Sequence, residues 1–166
     1  MALTSYVSGL IVQSVPTRGV MKVDRFTASG TFTPPAGVTY AVAYIRGGGG
    51  STGSASAAAG GNSSVAFASG TITATGGAGQ NSRSNYTSNI ATSAGPANSG
   101  NGSAYRADTS TSGEGEFVQG QNGAFIVAGG AVTPGTGIAV TVGDGGTAGT
   151  NGAAGGSGYV YIEYLA

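Results

Sequence analysis

The sequence predicts an all-β fold: a small glycine-rich, β-sandwich-like domain with polyglycine II-like segments and a short N-terminal arm. Three observations predict it. Val38, Tyr40, Val42 and Tyr44 alternate with Thr39, Ala41, Ala43 and Ile45, the period of two that belongs to a strand. Short apolar or β-branched runs recur along the chain, separated by Gly and Pro turns. Finally, glycine stands at 143, 146, 149, 152, 155 and 158, a period of three held for six repeats. Neither the α-helix nor the β-strand repeats at three. The extended three-fold helix does, and its backbone makes no internal hydrogen bonds. Those N–H and C=O groups must then find water or a neighbouring backbone. The stretch contains no proline, so collagen is not indicated. It reads as one strut lying against other glycine segments of the same domain.

Composition narrows the function classes. The chain has 166 residues, a single domain by length, and its 34 glycines are about three times the usual share. Six basic residues balance six acidic ones, and only Arg18, Lys22 and Arg25 cluster. A nucleic-acid binder needs a basic stripe, so no nucleic-acid partner is expected. With Asp24 among them, these three read as a solvated turn or arm. There is no cysteine and no histidine. That removes disulfides, thiolate metal sites, the usual general base and the best nucleophile. No apolar run approaches the roughly 18 residues of a membrane span, and MALTSYVSGLIVQSV lacks a basic region ahead of its apolar part. No membrane insertion and no signal peptide are expected.

In chain order, residues 1–24 form the most apolar segment and read as an anchoring arm, with 25–166 as the glycine-rich domain. Pro16 and Gly19 divide the arm. Leu3, Tyr6, Val7 and Leu10 permit a helix, while Gly9 and the β-branched residues favour extended structure. A first strand of the domain is the alternative to docking on a partner. Next, Phe26, Ala28 and Phe32 line one face of FTASGTFT, and Pro34, Pro35 and Gly37 turn the chain into the alternating strand. Gly48, Gly50 and Gly53 match G-x-G-x-x-G, but no helix and no acid at the required distance follow, so no dinucleotide cofactor is expected. Val65–Phe67 and Ile72–Ala74 read as strands. From Gly76 to Gly115 the only aliphatic residue larger than alanine is Ile90, and the stretch reads as a long polar loop. Phe117–Val118, Phe125–Val127, Ile138–Val142 and Tyr159–Tyr164 read as further strands.

Few residues offer chemistry. Glu114 and Glu116 are the only neighbouring acids, spaced to share one face of a strand. They suit a solvated edge, or the carboxylate pair of a glycan depolymerase. Asp144 is the single acid of its glycine run, whereas calcium-binding repeats need one per repeat, so no metal is expected. Binding is the better-supported class. Tyr and Arg supply contact energy, and Asn, Ser and Gly supply adaptable hydrogen bonds. In the 76–115 loop, Arg83, Tyr86, Tyr105, Arg106 and Asp108 form that mixture and are the candidate ligand-binding residues. Leu3, Tyr6, Val7, Leu10, Ile11 and Val12 are the candidate anchoring residues.

FTASGTFTPPAGVT, then an alternating strand into GGGG, resembles the opening of the glycine-rich domain of tail-fibre and related virion proteins of tailed bacteriophages. The resemblance rests there on Phe26, Ser29, Gly30, Thr31, Phe32, Pro35, Gly37 and Val38. GGNSSVAF to ATGG resembles its second unit, and IAVTVGDGGTAGTNGAAGGSGYVYIEY its closing unit. Together these cover about residues 26–80 and 129–165. The polar 81–115 loop and residues 1–24 depart from the pattern. The resemblance implies a virion structural protein, not an enzyme, that partners with other virion proteins of tail, baseplate or capsid. It also implies contact with a host-surface glycan or protein, and a homo-oligomer, expected as a trimer. A short tail fibre or receptor-binding tail component is the first expectation; a capsid decoration, cement or head-fibre protein is the second, and the depolymerase the third.

Overall fold

The computed structural model describes residues 19–53, 55–81, 89–93, 103–107 and 115–166. They are all-β, with no helix among them. Thirteen strands form: β1 Met21–Phe26, β2 Gly30–Phe32, β3 Tyr40–Arg46, β4 Thr52–Gly53, β5 Ser63–Phe67, β6 Gly70–Ala74, β7 Gln80–Asn81, β8 Asn89–Ser93, β9 Ser103–Ala107, β10 Gly115–Gln119, β11 Phe125–Ala131, β12 Ile138–Thr141 and β13 Tyr159–Leu165. Two antiparallel four-stranded sheets, ordered β1-β13-β3-β11 and β2-β12-β5-β6, pack face to face. The core between them holds Ala41, Ala43, Ile45, Val160 and Ile162 from the first sheet and Phe32, Val65, Phe67, Ile138 and Val140 from the second. On β3 the smaller parity faces inward, and Tyr40, Val42 and Tyr44 face out. Large residues opposite make this fit. The Phe67 ring, for one, sits where a side chain at Gly130 of β11 would stand.

The opening motif builds the corner between the sheets. β1 ends at Phe26 in one sheet and β2 begins at Gly30 in the other, and the Ser29 hydroxyl accepts the Val142 N–H at 3.0 Å. Phe26 and Phe32 both reach the core, but Ala28 is exposed on the corner and shares no face with them. Pro34–Gly37 is the expected turn, with Gly37 at φ +86°.

The boundary of the arm needs correcting. Met21 to Asp24 pair with Leu165 to Ile162, so the last residues assigned to the arm are a strand of the domain. Lys22, Asp24 and Arg25 therefore sit on β1 and not in a solvated turn. Residues 1–18, including Leu3, Tyr6, Val7, Leu10, Ile11 and Val12, lie outside the described residues.

Six of the eight sandwich strands run out at the same end into glycine-rich segments: 47–53 after β3, 58–62 before β5, 75–79 after β6, 120–124 before β11, 142–149 after β12 and 152–158 before β13. Segment 47–53 is central. Its consecutive N–H groups donate in rotation: Gly47 to Ala124, Gly48 to Gly61, Gly49 to Gly156, Gly50 to Gln121, Ser51 to Ala58 and Thr52 to Ala153, all at 2.8–3.0 Å. Its carbonyls turn the same way, Gly48 and Ser51 accepting from Gly77 and Gln80, Gly49 and Thr52 from Gly146 and Gly149. One segment thus bonds to all five others, as a three-fold extended helix must when its donors point out in three directions.

The period of three in residues 143–158 has its cause here. A Cβ at Gly143, Gly146 or Gly149 would fall onto the carbonyls of Gly61, Ala58 and Ala55 in turn. At Gly152, Gly155 or Gly158 it would fall onto those of Thr52, Gly49 and Arg46. The run is not one strut, however. It reverses at Thr150–Asn151, and Gly155 and Gly158 donate back to Gly146 and Gly143. Two antiparallel struts result.

Candidate functional site

Both described chain ends and the glycine bundle lie at opposite ends of the sandwich. β13 runs from Tyr159 at the bundle to Leu165, and Val20 exchanges two backbone hydrogen bonds with Ala166 there, at 2.6 and 3.0 Å. The chain before β1 therefore enters at the end remote from the bundle.

At the far tip of the bundle, short loops are tied together. Thr150 N–H donates to Ala55 at 3.0 Å, and Ala57 N–H donates to the Asn81 side-chain oxygen at 2.9 Å. Among the described residues, only Ser56 (φ 60°) and Asn151 (φ 50°) are non-glycine residues with positive φ, and both sit at this tip. Left-handed backbone is costly for such residues and persists where surrounding structure enforces it. Here the inter-loop bonds do so.

From Asn81 the chain leaves the bundle and returns at Gly120. The 76–115 region is not a single loop. Residues 75–79 belong to the bundle, and β8, β9 and β10 form an antiparallel sheet ordered β10-β9-β8. Phe117–Val118 is the expected strand, here β10, but Ser, Thr and Asn can form a ladder without an apolar face, so hydrophobic alternation gave no sign of β8 and β9. The sheet lies beside the bundle tip, with β10 near β7 and β9 near β4. Tyr105 and Arg106 are adjacent on the central strand β9, opposite Phe117 and Glu116 in register. Arg83, Tyr86, Asp108 and Glu114 lie outside the described residues. Glu116 thus stands in register with Arg106.

A second surface escaped the sequence reading. The outer face of the β1-β13-β3-β11 sheet exposes Met21, Val23, Tyr40, Phe125, Val127 and Leu165, each roughly half accessible. Between them stand polar contacts: Arg25 over the Tyr161 ring at 5.2 Å, Tyr159 stacked on Tyr161 at 4.7 Å, and the Tyr44 hydroxyl donating to Glu163 at 3.0 Å. That bond to Glu163, with the nearby negative charge, raises the Tyr44 pKa above its ordinary value. On the inner side Tyr164 is raised by burial first, then by Asp24, to which its hydroxyl donates at 3.4 Å. A groove of about 200 Å³ lined by Met21, Tyr40, Val42 and Leu165 opens at the end where the chain enters. The signal was present in the sequence, since both parities of β3 are apolar and only one can face the core.

Among the described residues no three Asp or Glu side chains gather as a cation site, and no helix is long and apolar enough to cross a membrane. The chain matches no protein-family model, no curated protein and no solved structure.

Proposed function

We propose that this chain is a non-enzymatic structural protein of a tailed-bacteriophage virion, a short tail fibre or receptor-binding tail component. Its N-terminal segment, with Leu3, Tyr6, Val7, Leu10, Ile11 and Val12, fastens it to other virion proteins. The excursion between Asn81 and Gly120, with Arg83, Tyr86, Tyr105, Arg106 and Asp108, meets a glycan or protein of the host surface. One observation carries the reading beyond the family resemblance, namely the polarity of the domain. The chain enters at one end of the sandwich, the polar excursion leaves from the other, and a hydrogen-bonded glycine bundle separates them. An attachment module needs such an axis, with its fastening at one end and its contact surface at the other. A spacer held by backbone hydrogen bonds with few side chains to repack also transmits position stiffly.

Gold-labelled antibody against the chain, viewed on intact particles by electron microscopy, tests this. Label on the tail, together with block of infection by isolated protein, is expected. Label over the head makes the chain a capsid decoration protein, and no label on any particle overturns the virion reading.

A further inference from the structure

We propose that the outer face of the β1-β13-β3-β11 sheet docks a second copy of this chain, through a two-fold axis parallel to the strands. The inference does not depend on the virion reading, and it puts a pair in place of the trimer that the resemblance implies. It rests on the cross-strand register, which makes this face complementary to itself.

A two-fold axis running between β13 and β3 lays each β13 over the partner's β3 and each β1 over the partner's β11, the aligned mode of sheet packing. Tyr161 and Tyr44 are register neighbours, so Tyr161 then faces the partner's Tyr44. By the same rule Leu165, beside the groove, meets the partner's Tyr40 at its rim. Val23 of β1 shares a level with Gly129 of β11, so a projecting side chain meets a bare backbone. Arg46 shares a level with Tyr159, and its Nε is buried without a hydrogen-bond partner within the chain. The axis brings the partner's Tyr159 ring to that guanidinium, the pairing of cation and aromatic face that Arg25 and Tyr161 already make.

Charge disfavours one alternative. An axis perpendicular to the strands through the Tyr161 level would place Arg25 on the partner's Arg25. The parallel axis places Arg25 on the partner's Val127 instead. It also leaves both chain entrances at one end and both glycine bundles at the other.

Four strands about 4.8 Å apart and seven residues rising about 3.3 Å each present roughly 450 Å² in projection, against roughly 800 Å² per partner in a standard interface. A reversible pair with a dissociation constant in the micromolar range is expected, so the full chain is examined by light scattering and sedimentation up to about 100 µM. The expected mass is twice the 15.8 kDa of the chain. The discriminating variants change only the sign of charge at 127. Val127→Arg, set against the partner's Arg25, weakens the pair at least about tenfold, whereas Val127→Glu leaves it as tight or tighter. Thr73→Arg, on the exposed face of β6 in the other sheet, leaves it unchanged. Circular dichroism confirms that each variant is folded. A monomer at every concentration, a three-chain mass, equal weakening by both Val127 variants, or weakening by Thr73→Arg would each overturn the proposal.

Discussion

The two halves of this domain are held together by opposite means. In the sandwich, side chains fill the space between backbones, and Ile45, Val65, Val160 and Ile162 are wholly buried. In the glycine bundle the backbones themselves touch, and at most of its glycines there is no room for a side chain. Yet the same six strands supply both. What changes at Arg46–Gly47 is the direction of the hydrogen bonds, which lie in the plane of a sheet before that point and rotate through three directions after it. A segment gains neighbours on so many sides by giving up most of its side chains, and the two it keeps inside, Ser51 and Thr52, bond to backbone N–H groups.

The sharpest break is a methyl group in the bundle. Gly155→Ala puts a Cβ onto the Gly49 carbonyl, whose segment is fixed by five others and cannot yield. We expect a loss of about 4 kcal/mol or more in urea unfolding, above the usual range for overpacking. Gly135→Ala supplies the contrast, because there φ is +76° with open space around, and only backbone strain of about 1–2 kcal/mol applies. In the sandwich the same instrument reads removal instead of addition. Ile45→Ala leaves a cavity and should cost about 2–5 kcal/mol. If Gly155→Ala proves as mild as Gly135→Ala, the difference between the halves disappears.

The smallest effect is on pH. The folded-state pKa of Tyr164 lies above its ordinary value near 10.0, chiefly through burial. The unfolded chain therefore gives up this proton first. Stability from Tyr164 is complete below about pH 10 and declines as pH rises through the folded-state value. Melting temperatures should fall above pH 10 in the wild type and fall less in Tyr164→Phe. The bundle has no group that titrates there, so the protection of its amides, taken relative to base-catalysed exchange of a free amide, should not follow the same curve until global unfolding.

Legibility in the sequence followed the same division. β3, β5, β6, β10, β11, β12 and β13 were visible because apolar residues alternate or cluster in them. Which face of β3 turns inward was not, since Ala41, Ala43 and Ile45 compete with Tyr40, Val42 and Tyr44, and only the opposing Phe and Val side chains decide. Of the bundle, the struts of residues 143–158 announced themselves by their glycine period. The central segment did not: in GGGGSTG the period of three lies in the partner each N–H chooses, and Ser51 and Thr52 fit because their hydroxyls bond to the Ala58 and Ala153 N–H groups. Of the candidate site, the sequence supplied residue types, and the structure adds that Tyr105 and Arg106 share a strand beside the bundle tip. β8 and β9 were invisible because polar strands carry no core-facing pattern.

The most direct test of the account is amide hydrogen exchange, resolved by residue, along Gly47 to Thr52. A bonded bundle predicts protection at all six consecutive amides, each with its own acceptor at 2.8–3.0 Å. A flexible glycine linker would exchange at solvent rates throughout, and an ordinary edge strand would protect alternate amides only. Either result would contradict the bundle, and with it the stiff spacer on which the proposed attachment role relies.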